Sequence, residues 1–342
     1  MGVAVSADVL MRAPIALLPV LLFLAGLVQL DGYKLVRMRM MIALLVTGAL
    51  AAGASYVVNN LVFGHFHGSF VTYSRYVSPW IEESLKAALL VFLIRTRRVG
   101  LPVDAGIAGF AIGTGFAVVE NLYYLAARPN SLLAVQVIRG FGTAIMHGGT
   151  AAILAMITNT LYERRPSGGL HLLLPGLLTA VALHTGYNYL LVRPALATLA
   201  TLLVLPFVIY LVFDHSERIL RDWIEADLDT DVKRLEAINT GKFLDSPSGR
   251  YLQALRERFH GEQLADMLCY LRVHGELAVR AKGILLLRES GLPDPPIDDE
   301  TRGRLAELAQ LEHAIGKTGL LALRPLMMAT GKEIWQLTLL RQ

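Results

Sequence analysis

Seven apolar runs constrain this chain more than any other feature. They cover approximately Ala13 to Leu30, Met41 to Phe63, Val77 to Ile94, Leu101 to Ala127, Leu133 to Leu161, Leu170 to Val192 and Pro194 to Phe213. At about 1.5 Å of helix per residue, each is long enough to cross a hydrocarbon layer about 30 Å thick. A backbone in lipid has no water to bond to, so runs of this kind must fold as helices. With 342 residues, 54% hydrophobic and only 18% charged, the chain reads as an all-α, polytopic membrane bundle of about seven spans. The membrane domain is expected over residues 1–213, followed by a cytosolic helical domain over residues 214–342. The first run is expected to be an uncleaved span, because Gln29-Leu30-Asp31 offers no clear small-residue cleavage site and the flanking charges fit one.

Charge divides the chain at the same place. Residues 1–213 carry 14 Lys and Arg against 7 Asp and Glu, whereas residues 214–342 carry 18 against 21. Basic residues follow alternate runs: Lys34, Arg37 and Arg39, then Arg95, Arg97 and Arg98, then Arg164 and Arg165, then Arg218 and Arg221. The intervening loops hold only Arg75, Arg128 and Arg193, with Arg139 falling inside the fifth run. Short cytoplasmic loops are the basic ones, so the N-terminus is predicted outside and the C-terminal half in the cytoplasm of a bacterial-type inner membrane. The basic excess is thereby accounted for by topology and gives no reason to expect nucleic acid. The single cysteine, Cys269, allows neither an intrachain disulfide nor a cysteine-based zinc site. Beyond Asp214 the pattern changes to amphipathic helices, near Asp231 to Ile238, Gly249 to Phe259, Glu262 to Leu287 and Asp299 to Ile315. Leu264, Met267, Leu268 and Leu271 recur there at helical spacing. No catalytic spacing appears in this half, which suits regulation or an unknown cytosolic partner.

Polar groups inside the runs need a reason, since each charge in lipid costs roughly 2.5–3.5 kcal/mol on insertion scales. The third run opens Ser78-Pro79-Trp80-Ile81-Glu82-Glu83-Ser84-Leu85-Lys86. Ser78 and Pro79 suit an N-cap and first helical turn, and Lys86 lies four and three residues after the two acids, within reach of either. The fourth run carries Glu120-Asn121, the fifth His147, and the sixth His184 with Asn188 on the same helical face. Counted from the outer ends of their runs, these groups converge at roughly 8–20 Å below the outer surface. Four helices thus place ionisable groups in one layer. Asp104 sits at a run boundary and is expected to be solvated, the loop pair His65 and His67 is a weak metal signal, and Asn59 and Asn60 suit interhelical bonding. Gly106, Gly109, Gly113 and Gly115 would let another backbone approach the fourth run closely. Pro206 predicts a kink in the seventh run.

In these residues the chain resembles the PrsW family of intramembrane proteases, within the wider group that includes the CAAX prenyl proteases. The matching pieces are Glu82-Glu83-x-x-Lys86, Phe116-x-x-x-Glu120-Asn121, His147 and His184-x-x-x-Asn188, within residues 79–188. The CAAX group would instead place a basic residue one position after Lys86 and a histidine at Glu120, so the departures favour PrsW. The resemblance implies a membrane-embedded peptidase that cuts membrane-anchored, single-span proteins near the outer surface, typically in the first cut on an anti-sigma factor.

On that reading the catalytic set is Glu82, Glu83, Lys86, Glu120, His147, His184 and Asn188. Glu82 or Glu83 would act as general base on a water, tuned by Lys86. His147 and His184 would either hold a divalent metal such as zinc with Glu120 as third ligand, or orient water and the oxyanion beside Asn188 without a metal. Two other classes of function use similar residues: a proton-coupled transporter or channel built on the same Glu and His relay, and a receptor scaffold whose function survives loss of the carboxylates.

Overall fold

A computed structural model describes residues 7–31, 33, 36–96, 98–128, 131–165, 168–190, 193–327, 336, 337, 339 and 340, with the side chains of 7–10 and 190 excepted. Lys34, Arg97 and Val192, used above to place loops and runs, lie outside the described residues. Among those described, the chain is helical with no strand. The helices are α1 (Ala7–Leu30), α2 (Met38–Phe63), α3 (Phe70–Tyr76), α4 (Ser78–Arg95), α5 (Pro102–Ala127), α6 (Leu133–Ile138), α7 (Ala144–Arg164), α8 (Leu174–Leu190), α9 (Pro194–Asn239), α10 (Pro247–Ala254), α11 (Gly261–Glu289) and α12 (Asp299–Met327).

Among the described residues, six segments are long and apolar enough to cross a membrane: Met11–Leu30, Met38–Phe63, Pro102–Ala127, Leu133–Arg164, Leu170–Tyr189 and Pro194–Asn239. The one expected run missing from this set is the third, now α4, which does not qualify because its 18 residues include Glu82, Glu83, Lys86 and Arg95. It packs instead against α2, α7 and α8, with Glu83, Lys86 and Leu90 on its buried face. Glu83 and Lys86 meet each other inside the bundle rather than lipid, whereas Arg95, at the end of the helix, is exposed. The fifth run is not one continuous α-helix: a π-helical turn, Arg139–Thr143, separates α6 from α7. The seventh run and the amphipathic stretch from Asp231 are one helix, α9, and Pro206 lies within it without ending it.

Burial identifies the centre of the bundle. The most apolar windows of α5 and of the α6–α7 segment are 83% buried, against 17–33% for the other four segments. Lipid tails give apolar helices little reason to associate, so small residues that admit close backbone contact carry the packing. A Cβ on Gly109 would stand 2.4 Å from Ala151 O, and one on Gly113 only 2.2 Å from His147 O. On the other side, Cβ atoms on Gly115 and Gly48 would each lie 2.0 Å from a carbonyl, of Leu45 and Ile112 respectively. Glycine therefore seats α5 directly between α2 and α7, and it sets the depth of His147.

The chain divides into two compact units, one ending at Ser216 and the other beginning at Glu217, within the length of α9. The second unit has its own apolar core of Phe243, Leu252, Met267, Leu271, Leu277 and Leu308, among others. Of the four apolar residues picked out by spacing on α11, Met267 and Leu271 are buried and Leu264 and Leu268 are partly so. The helix α12 is kinked at Gly316, whose φ of 70° suits glycine. Cys269 is a free thiol.

Candidate metal and catalytic site

The site is built on the first two turns of α4. Ser69 caps the short α3 by accepting from Thr72 N at 3.1 Å, and Pro79 occupies the first turn of α4. Ser78 does not cap α4 as expected. The residue before the helix is Val77, and the Ser78 hydroxyl donates instead to Glu82 Oε1 at 2.5 Å. Lys86 selects one of its two possible partners: its Nζ donates to Glu83 Oε1 at 2.8 Å. Glu82 is turned towards α8, with Oε2 3.9 Å from His184 Nε2.

The histidine tautomers follow from their neighbours. Lys86 Nζ lies 2.9 Å from His147 Nδ1, and an ammonium can only donate, so Nδ1 accepts. The proton then sits on Nε2, which donates to Glu120 Oε2 at 2.8 Å. His184 Nδ1 is 2.8 Å from Glu83 Oε1 and donates to it, leaving the Nε2 lone pair on the side of Glu82. The two imidazoles stand edge to face, with centroids 4.9 Å apart. Glu83 Oε1 thus receives Lys86 and His184, with Thr150 Oγ1 a third donor at 3.3 Å. Its other oxygen, Oε2, is buried with no hydrogen-bond partner among the described residues. The Phe116 ring covers Lys86, 4.3 Å from Nζ.

Glu120 is held from the far side. Arg139, in the π-helical turn, places a terminal nitrogen 3.2 Å from Glu120 Oε1 and donates through Nε to Asn121 Oδ1 at 3.1 Å. Its guanidinium lies 3.7 Å from the centre of the Tyr124 ring. Asn121 in turn donates to Ala16 O on α1 at 2.8 Å.

Six of the seven residues singled out from the sequence therefore share one connected network: Glu82, Glu83, Lys86, Glu120, His147 and His184. Asn188 stands apart from these contacts. Its Nδ2 donates to Ser74 O at 3.0 Å, so its bond ties α8 to α3. Asn59 accepts from the Tyr73 hydroxyl at 2.8 Å, the interhelical role expected of it. Asp104 corrects another expectation: it is buried rather than solvated, and it accepts from Gly100 N at 2.9 Å and Leu101 N at 2.7 Å at the start of α5. His65 bonds the backbone of Leu61. Arg139 and Thr150 were not picked out as site residues. Arg139 had left a signal, a charge inside an apolar run; a lone threonine in a membrane helix leaves none.

The candidate ligand atoms that cluster most closely are not those of the expected Glu120, His147 and His184. The ligand atoms that lie within 4.8 Å of one another belong to Glu82, His147 and His184. Glu120 is instead bound to His147 and Arg139. Two imidazoles and a carboxylate suit a zinc-like divalent ion, and metal-binding histidines commonly donate their second nitrogen to a carboxylate, as His184 does to Glu83. His147 is engaged at both nitrogens, so it offers a lone pair only in exchange for its bond to Lys86 or to Glu120. The donor chemistry fits a metal.

A family model described as PrsW family intramembrane metalloprotease matches residues 36–213. No curated protein and no solved structure matches the chain.

Proposed function

The chain belongs to the PrsW family of intramembrane metalloproteases, and from that premise we propose that it hydrolyses a peptide bond of single-span membrane proteins close to the extracytoplasmic face. The substrate that best suits this reading is an anti-sigma factor receiving its first cut. The protein would lie in a bacterial-type cytoplasmic membrane with its N-terminus outside, and its second unit in the cytoplasm would serve regulation or bind a partner.

The convergence of Glu82, His147 and His184 from three helices carries this proposal. These three residues would hold a divalent metal, which would supply Lewis acidity to the scissile carbonyl and to the attacking water. Glu83 is the general base on this reading, because its unpartnered Oε2 is free to take a proton. As the water oxygen bonds to the carbonyl carbon, its proton passes to Glu83 Oε2. When the C–N bond breaks, that proton goes to the leaving nitrogen. Lys86 and His184 hold Glu83 through its other oxygen, and Glu120 orients His147.

The test compares new protein N-termini in membranes of cells making the wild type and a Glu82→Gln/Glu83→Gln variant at matched levels. Cleavage sites near the outer end of single-span proteins, present only with the wild type, are expected. Their absence from cells holding folded wild-type protein would sink the reading.

A further inference from the structure

Next to the catalytic network lies a cavity of about 220 Å³, whose polar lining includes Tyr124, Arg128, Ser131, Gln136, Arg139 and Thr143. At about 30 Å³ per water it has room for several waters or for one amino-acid side chain. The described lining contains two guanidinium groups, three hydroxyls and no carboxylate. Gln136 is 1% exposed; its Nε2 donates to Ser131 Oγ at 2.7 Å, while its Oε1 is buried with no partner among the described residues. A buried acceptor without a partner is unfavourable, and a ligand N–H would satisfy it. The wall also includes residues at both ends of the π-helical turn, an irregularity that is frequent at functional sites.

We infer that this cavity is a substrate subsite that accepts an acidic side chain flanking the scissile bond. The substrate carboxylate meets Arg128 and the hydroxyls, and an adjacent peptide N–H donates to Gln136 Oε1. The link to the chemistry is Arg139, which lines the cavity and also contacts Glu120, the carboxylate bound to His147. A residue seated here is therefore one side chain removed from the catalytic network, as a flanking substrate position must be. The inference rests on the peptidase reading above and adds a specificity to it.

The test uses the full chain in liposomes with single-span reporter proteins carrying Asp, Asn or Lys near the outer end of the span. Two readouts are taken: cleavage, and photo-cross-linking from benzoylphenylalanine at Val135, on the cavity wall, in a Glu82→Gln/Glu83→Gln background. The Asp reporter is expected to cross-link and to be cleaved about tenfold better than the Asn reporter, with Lys poorest. Arg128→Ala, at an exposed position, should shrink the preference for Asp over Asn, and Gln136→Leu, which removes the acceptor for a backbone N–H, should lower cleavage of both reporters alike. Cross-linking indifferent to charge, cross-linking to bilayer lipid in place of the reporter, or none at all would overturn the subsite even if cleavage proceeds. Asp-selective cross-linking without cleavage by the wild type would keep the subsite and overturn the peptidase reading.

Discussion

Each unit of this protein fully buries a lysine, and the two lysines are treated differently. Lys282 on α11 reaches Asp227 and Asp231, four residues apart on α9, with both contacts at 2.5 Å, and lies 5.2 Å from the centre of the Trp223 ring. Lys86 on α4 meets one carboxylate, Glu83, at 2.8 Å and one imidazole, His147, at 2.9 Å, and lies 4.3 Å from the centre of the Phe116 ring. In both cases an aromatic face and anionic or lone-pair partners compensate the ammonium. The difference lies in what remains. Neither aspartate has an oxygen that is buried without a partner, and both side chains are partly exposed, 20% and 11%. Around Lys86, Glu83 keeps one buried oxygen unpaired, and His147 and His184 extend the network to two further acids. A buried lysine is thus not in itself a mark of chemistry; an incomplete set of partners around it is.

Neutralising each cluster is the strongest way to break this comparison. Glu83→Gln should lower cleavage about 10³-fold, measured on a reporter substrate, with melting of the purified protein little changed. Lys282→Met should do the reverse: cleavage per folded molecule is retained, and the second unit loses about 3 kcal/mol because two carboxylates are left facing each other, read as faster hydrogen exchange along α11. Adding Asp227→Leu and Asp231→Leu to Lys282→Met should restore most of that stability, whereas Glu83→Leu/Lys86→Met should leave the protein folded and without cleavage.

Metal retention sharpens the contrast. His184→Ala and Glu82→Ala should abolish zinc carried through purification. Glu120→Ala should weaken it only about 10–100-fold, as expected for a group that orients a ligand. Equal effects of Glu82→Ala and Glu120→Ala would reinstate Glu120 as a ligand. A smaller loss is expected from Gly113→Ala. Its new Cβ would meet His147 O at 2.2 Å, forcing α5 and α7 apart at a cost of about 1–3 kcal/mol and moving His147.

The smallest effect belongs to the second unit. Burial, then the nearby Arg234 and Lys282, pulls His274 down to about 4. A histidine whose folded value lies below its ordinary 6.5 loses stability as the unfolded chain takes up the proton first. Stability should therefore hold above pH 6.5, fall between 6.5 and 4, and level off below. His274→Gln should flatten that part of the profile in urea unfolding followed at several pH values.

Much of this was legible before the structure because it rests on local pattern. Apolar run length specifies helices, and counting residues from the run ends placed Glu82, Glu120, His147 and His184 at one depth without knowing which faces met. The glycines of α5 announced close packing, and Gly109 and Gly113 lie against α7. What escaped notice depends on orientation around the helix axis. Spacing allowed Lys86 either acid, and only the position of His184 shows why it takes Glu83. Asp104 looked solvated because a run boundary says nothing about which neighbours cover it. Asn188 shares a helical face with His184, but it lies one turn further along and meets Ser74 instead.

The sequence by itself determined the helical membrane architecture, the family and the roster of ionisable groups, since composition, run length and motif order are properties of the chain alone. Only the tertiary structure decided that α4 lies within the bundle with its charges compensated, that Glu82 rather than Glu120 groups with the two histidines, and that Arg139 joins that network to a cavity. Those outcomes turn on distances of a few ångströms between helices far apart in sequence, and backbone contact at glycine sets such distances.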